Sequence, residues 1–344
     1  MAIVAVVAFA ACRPAADATP SGSASATQAP PVATPLAVLP GEPWLAYNWF
    51  LPEAGTKSLF LVRPDGSDSH SIVSGVPGEN RGPAWSPDGM TLAFVVRNAE
   101  FPEGSIWTAN ADGSGATLLS DGGTECSVGL FHPAWSPDGT KLAVVCYPGG
   151  SDHESIAILD LATRSLTRLA DFTLPEHLDN PPTWSPDGQT IAFDIQHFTP
   201  TGESLDWSVV ATVPVTGGEV RRLTDPDAFM AHPDWRPNGS EIVMNSYDLG
   251  NIHTTDQPSN LYVIKPDGTG LRQLTRSSID GTMRIAGPNW APDGTRIVVT
   301  IGTSSAPDMT IDYVQLAFVD AAGGEPVLFD PAVGGSAGDL RPTS

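Results

Sequence analysis

Five copies of one heptapeptide dominate this chain: Pro83-Ala-Trp85-Ser-Pro-Asp-Gly89, Pro133-Ala-Trp135-Ser-Pro-Asp-Gly139, Pro182-Thr-Trp184-Ser-Pro-Asp-Gly188, Pro233-Asp-Trp235-Arg-Pro-Asn-Gly239 and Pro288-Asn-Trp290-Ala-Pro-Asp-Gly294. Their tryptophans are 50, 49, 51 and 55 residues apart. A period of that length means stacked copies of one supersecondary unit that cannot bury its apolar face alone. The repeat therefore constrains architecture strongly and chemistry weakly.

The second blade shows the grammar of one unit. Arg81 to Ser86 is a short extended run that ends in Trp85 and a Ser-Pro-Asp-Gly turn. In such a turn proline presets φ, aspartate bonds its own backbone and glycine takes a positive φ. Three further strands follow, over 91–96, 105–109 and 116–119, the last two separated by an Asn-Ala-Asp-Gly turn. Four short strands joined by hairpins and repeated about an axis make a propeller blade. The motif prolines, which cannot donate to a ladder, suit an inner edge strand lining a central channel. A sixth, degenerate blade is read at the N-terminal side, with Trp44 to Asn48 as its second strand, Ser58 to Val62 as its third and Ser71 to Val73 as its fourth. Its inner strand can come from Pro35 to Leu39 or from Asp339 to Ser344; the C-terminal choice, which joins both ends of the chain in one blade, is favoured. The expectation is all-β: one six-bladed propeller of four-stranded antiparallel blades over 36–344. Trp85, Trp135, Trp184, Trp235 and Trp290 are expected at equivalent packed positions.

The residues that carry this argument resemble the TolB-type propeller-repeat family, related to WD40-like repeats, whose hallmark is Pro-x-Trp-Ser-Pro-Asp-Gly, an apolar strand, Asp-Gly and Arg-x-Leu-Thr. The resemblance covers about residues 40–344. TolB also carries an α/β domain ahead of its propeller, for which the stretch before residue 36 leaves no room. The resemblance thus reaches the propeller alone, and the partner of TolB, the peptidoglycan-associated lipoprotein, does not transfer with it.

The segment 1–12 reads as a lipoprotein-type signal. Ala2 to Ala11 is apolar and too short to span a bilayer, and Phe9-Ala10-Ala11-Cys12 is similar to a lipoprotein signal-peptidase box with Cys12 as the lipidated residue. A basic n-region is missing; an ordinary secretory signal or a start further upstream are the alternatives. Residues 13–35, rich in Ala, Pro, Ser and Thr, read as a flexible tether. An exported protein held on the periplasmic or extracytoplasmic face of a membrane through its lipid anchor follows from these readings. Cys126 and Cys146 fit an oxidising compartment: hairpin pairing puts residue 131 roughly opposite 146, within reach of a disulfide, the alternative being two separate buried thiols. With Lys+Arg 17 against Asp+Glu 39, the formal net charge of −22 argues against nucleic acid, whose phosphates demand a basic face.

In each blade two connections are tight turns on one face of the disc, and the longer, irregular connections open on the other. Binding residues concentrate on loops held by a rigid scaffold, so the long-loop face is the expected binding face. Six of the seven histidines map to it: His132, His153, His177, His197, His232 and His253. His132 and His232 directly precede a motif proline and should rim the channel mouth, with Asn80, Arg81, Asp179, Arg284 and Arg341 near them in register. They are read either as solvated polar residues or as a ligand pocket, in which a divalent metal would take neutral imidazoles. No cofactor is otherwise expected. The motif aspartates Asp88, Asp138, Asp187 and Asp293 read as turn caps rather than acid/base pairs.

No metalloprotease, redox or Walker motif is present. Gly334-Gly-Ser336-Ala-Gly338 spells a nucleophile elbow but lacks its strand-to-helix context. The sequence therefore points to a non-enzymatic binding or scaffold protein, monomeric, that engages a cell-envelope protein, peptide or glycan through the long-loop face. Two rivals are a metal-dependent polysaccharide lyase-like enzyme with histidine ligands at the channel mouth, and a sensor or accessory relative of peptidase propellers.

Overall fold

The computed structural model describes residues 42–51, 56–73, 75–102, 104–149, 153–199, 205–246, 259–276, 283–303, 313–329, 336–340 and 342. Six antiparallel sheets form, one per repeat. Blade 2 comprises Glu79–Trp85, Thr91–Arg97, Ser105–Asn110 and Thr117–Ser120; blade 3 comprises Gly129–Trp135, Lys141–Tyr147, His153–Asp160 and Leu166–Thr173. Blade 5 is Met230–Trp235, Ile242–Ser246, Leu261–Ile264 and Arg272–Gln273; blade 6 is Met283–Trp290, Arg296–Thr303, Tyr313–Asp320 and Val327–Leu328. The one helical element among the described residues is a 3-10 turn at Pro226–Ala228, capped by the Asp225 carboxylate.

Blade 1 closes the ring. Leu45–Leu51, Thr56–Val62 and His70–Ile72 supply three strands, and the C-terminal strand Ser336–Leu340 supplies the inner one, with Leu45 opposite Leu340 and Ala46 opposite Asp339. The inner strand thus begins three residues earlier than the expected Asp339-to-Ser344 run. The reason is register: Leu340 takes the place held elsewhere by the motif tryptophan, since Leu45 and Leu92 occupy the same second-strand position opposite Leu340 and Trp85. Ser336 of the nucleophile-like pattern accordingly lies in a strand, not at a strand-to-helix turn. The competing segment 35–39, the signal segment and the tether lie outside the described residues.

Packing shows why no blade stands alone. Six apolar clusters fill the six spaces between neighbouring blades, including the seam where Tyr47 and Phe60 of blade 1 meet Val298 and Phe318 of blade 6. Each motif tryptophan sits in the cluster it shares with the preceding blade. Trp85, Trp184, Trp235 and Trp290 are buried and Trp135 is half-buried. Two of them also tie blades together by hydrogen bonds: the Trp135 indole donates to the Ala84 carbonyl at 3.0 Å and the Trp184 indole to the Ala134 carbonyl at 2.9 Å. The turn aspartates act as read from sequence. Asp138 Oδ1 accepts from the Ser136 hydroxyl and the Thr140 N–H, and Asp187 Oδ1 from the Ser185 hydroxyl and the Gln189 N–H.

Two departures matter for the site. The motif proline lies inside a β-bulge, so two residues on the inner strand face one on the second strand. In blade 3 the extra residue moves Leu130, not Phe131, opposite Cys146. Cys126 and Cys146 are joined, with Cα atoms 5.3 Å apart. Blade 4 differs again. Its inner strand is split into Glu176–His177 and Thr183–Trp184, both paired with Thr190–Phe198, while Leu205–Pro214 and Arg221–Arg222 complete the sheet. Pro181 and Pro182, which have no N–H to donate, account for the break.

Candidate functional site: the channel mouth on the long-loop face

The bulge fixes the backbone at the mouth. The residue before each motif proline adopts a left-handed conformation in four blades: Gly82 at φ 54, His132 at φ 55, His232 at φ 53 and Gly287 at φ 57. Glycine takes this region freely, whereas a residue with a Cβ pays for it. Blades 3 and 5 therefore hold imidazoles in a strained conformation at positions where blades 2 and 6 use glycine. Strain of this kind persists only where the surroundings enforce it, and it concentrates at binding sites.

Both imidazoles are half-buried. His132 is pushed down to about 4, first by burial and then by the neighbouring charges of His232 and Arg81. His232 is likewise pushed down to about 4 by burial, opposed by the Asn245 side chain. At neutral pH both are uncharged. Arg81 itself forms an ion pair with Glu79 on the same strand. The structure thus brings His232 and Arg81 each within electrostatic reach of His132. The Arg284 side chain, His253 and Arg341 lie outside the described residues.

Asp179 belongs to a neighbouring group. It sits in the interrupted part of blade 4 and is exposed to solvent. Burial of its surroundings and the charges of Glu154 and Asp194 raise it to about 6, and His177 opposes this. Glu154 is buried, accepts from the Leu178 N–H and pairs with His177 Nδ1 at 2.8 Å, which raises the His177 pKa. Asp194, buried and raised chiefly by desolvation, accepts from Asn180 at 2.9 Å and from Gln196 at 3.1 Å. Its other oxygen accepts from the His232 backbone N–H at 3.4 Å. Asn48 Oδ1 receives the Gly82 N–H at 3.3 Å in the same way. A polar second-strand residue of one blade thus holds the bulge of the next.

Deeper in the channel lies a layer that sequence reasoning passed over. The central residues of the Pro-x-Trp motifs are Ala84, Ala134, Thr183, Asp234 and Asn289, and blade 1 contributes Asp339 in the same register. Asp234 accepts from the Thr183 hydroxyl at 2.8 Å and from the Trp290 backbone N–H at 2.6 Å. Asp339 accepts from the Trp85 backbone N–H at 2.7 Å. Burial raises Asp234 to about 6 and, with the charge of Asp234, raises Asp339 to about 7. The signal was the x column itself, whose step from alanine to aspartate is visible once the five motifs are aligned. Among the described residues no three His, Cys, Asp or Glu side chains converge closely enough to hold a metal ion. No helix among them is long and apolar enough to cross a membrane.

The fold is a six-bladed propeller with a polar mouth. Residues 127–258 match the TolB beta propeller domain family. The chain is 31% identical over 141 residues to an uncharacterized protein of Agrobacterium fabrum, covering 40% of this chain and 43% of that one. It is 30% identical over 137 residues to the Tol-Pal system protein TolB of Anaeromyxobacter dehalogenans, covering 40% and 26%. It therefore spans less than half the length of these curated relatives. Among solved structures, TolB from Acinetobacter baumannii superposes with a TM-score of 0.61 at 18% identity, over 87% of this chain and 66% of that one. An oligogalacturonate lyase in complex with manganese superposes at 0.51 and 16% identity, over 84% and 73%. Over residues 127–258 the chain is thus similar to TolB propellers, and it shares its six-bladed fold with these solved structures.

Proposed function

We propose that this chain is a non-enzymatic binding protein of the cell envelope that holds a protein, peptide or glycan partner at the long-loop mouth of its channel. It acts as an exported monomer tethered through lipidated Cys12. The observation that carries the reading is the pair of neutral imidazoles, His132 and His232, kept in left-handed backbone where glycine serves in blades 2 and 6. Strained polar residues on a rigid wall, flanked by Arg81 and by the Glu154, Asp179 and Asp194 carboxylates, form a preorganised polar surface rather than a packing solution. The test is capture of envelope partners by purified protein in parallel with the double variant His132→Ala with His232→Ala. The reading expects partners that the wild type retains and the variant loses while its melting temperature stays near wild type; equal capture by both proteins refutes it.

The metal-dependent lyase-like reading rests on the same two imidazoles, which at neutral pH are in the form a metal accepts. Two nitrogens fall short of the three ligands such a site needs, and the described residues supply no third. Calorimetry with manganese or calcium decides: saturable binding that disappears in the double variant favours the enzyme, and its absence leaves the binding protein.

A further inference from the structure

The opposite face of the disc carries a cleft of its own. Between the Ser-Pro-Asp-Gly turns of blades 3 and 4 lies a cleft of about 530 Å³, lined among others by Trp184, Ser136, Asp138, Lys141, Asp187 and Gly188. Between blades 5 and 6 the repeat places Arg236 in the position of Ser136, Trp290 in that of Trp184 and Gly294 in that of Gly188. There the chain fills the position with its own side chain. The Arg236 guanidinium lies 4.8 Å from the centre of the Trp290 ring, donates to the Gly294 carbonyl at 3.0 Å and pairs with Glu241 at 3.0 Å.

The two positions differ in what occupies them. A Cβ on Gly294 would meet Arg236 Nε at 3.6 Å and Cγ at 3.8 Å, whereas a Cβ on Gly188 would meet Pro137 Cδ at 3.8 Å and nothing else within 4 Å. We infer that the cleft between blades 3 and 4 accepts an arginine side chain of a partner polypeptide, stacked on Trp184 and bonded to the Gly188 carbonyl as Arg236 is on Trp290 and Gly294. The wall charges suit this occupant. Asp138 is held ionised near a pKa of about 2 by the Ser136 hydroxyl first and then by Thr140, and it uses Oδ1 for its own turn. Asp187 also uses Oδ1 for its turn, accepting from the Ser185 hydroxyl and the Gln189 N–H. Lys141 is the one opposing charge on the wall, and it is paired with Asp160 at 3.7 Å. Guanidinium is preferred to ammonium because it is planar, stacks on an aromatic face and presents several donors in one plane. The volume exceeds a single side chain, so neighbouring residues of the partner fit as well.

The test titrates N-acetyl-arginine amide, and separately its lysine counterpart, into the protein while following the indole N–H resonances by NMR. An isolated group should bind with a dissociation constant on the order of millimolar. The Trp184 indole should shift saturably with the arginine probe and at least fivefold less with the lysine probe at equal concentration. Ser136→Arg should abolish the shift by filling the cleft from within. That variant should fold, since blade 5 already makes this turn with arginine, Gly239 N–H donating to the Arg236 carbonyl at 2.8 Å. Arg236→Ser should create a second responding site at Trp290. A Trp184 resonance that does not move, or that moves equally in Ser136→Arg, overturns the proposal.

Discussion

Replacing His132 with glycine should leave the ring more stable than replacing it with alanine, the reverse of the order found in ordinary strands. Both substitutions remove the imidazole, so its contacts cancel from the comparison. Alanine keeps the left-handed penalty, roughly 1–2 kcal/mol for a residue with a Cβ. Glycine removes that penalty but loses about 0.5–1 kcal/mol through the greater entropy of its unfolded chain. The net difference should favour glycine by about 0.5–1 kcal/mol, and His232 should give the same. Gly82→Ala is the reciprocal control. A Cβ there meets nothing within 4 Å, so the loss of about 1 kcal/mol expected is conformational alone. Urea unfolding at pH 7.5 resolves differences of this size if the variants share one m-value. The pH dependence adds a second readout. Both histidines are depressed to about 4 in the folded ring, so their favourable contribution is present above 6.5 and is lost as pH falls towards 4. Between pH 7.5 and 5 each should cost the wild type on the order of 1–2 kcal/mol relative to its glycine variant. Alanine as stable as glycine at 132, with Gly82→Ala silent, would show that the left-handed bulge carries no cost and would remove the argument that function retains these histidines.

Asp339 is raised to about 7, so its contribution is present at low pH and is lost as pH rises through 7; Asp339→Asn should match the wild type near pH 4 and melt progressively higher than it towards pH 8. Deleting residues 336–344 should lower the melting temperature by many degrees, because Leu45–Leu51 then presents an unpaired edge and Leu340 leaves the seam between blades 6 and 1; an unchanged melting temperature would show that another segment closes the ring. Cys126→Ser should cost about 3 kcal/mol, the scale for closing a loop of this length, and a reductant should lower wild-type stability by a similar amount while leaving the variant unchanged.

The ring was legible because its signals are local and repeated. Ser-Pro-Asp-Gly states its turn in four residues, and a tryptophan every fifty or so residues states the stacking. The bulge was not legible. Proline at an inner edge satisfied the sequence argument, and nothing in Pro133-Ala-Trp135 reveals that His132 rotates into left-handed space; the hint was that blades 2 and 6 carry Gly82 and Gly287 in that register. The same bulge moved the partner of Cys146 by one residue. At the mouth, His132, His232 and Arg81 could be placed together from register alone, because the blades set their depth in the channel. Asp179 could not be partnered in that way. Its neighbours Glu154 and Asp194 come from the third strand of blade 3 and the second strand of blade 4, and Asp179 itself lies in the break between Glu176–His177 and Thr183–Trp184. Asp234 and Asp339 were hidden by their own motif, in which the tryptophan drew the reading and the variable residue before it did not.

Closing the ring within blade 1 also sets an order for assembly. Leu45 and Leu340 pair across nearly the whole length of the chain, whereas blades 2 to 6 are each built from contiguous sequence. Contacts so distant form late, because loop-closure entropy must be met before they return any stability. Blade 1 is therefore the first made and the last completed. Until Ser336–Leu340 arrives, its second strand waits with one side open, the stage at which a newly made chain can pair with a neighbour instead of itself.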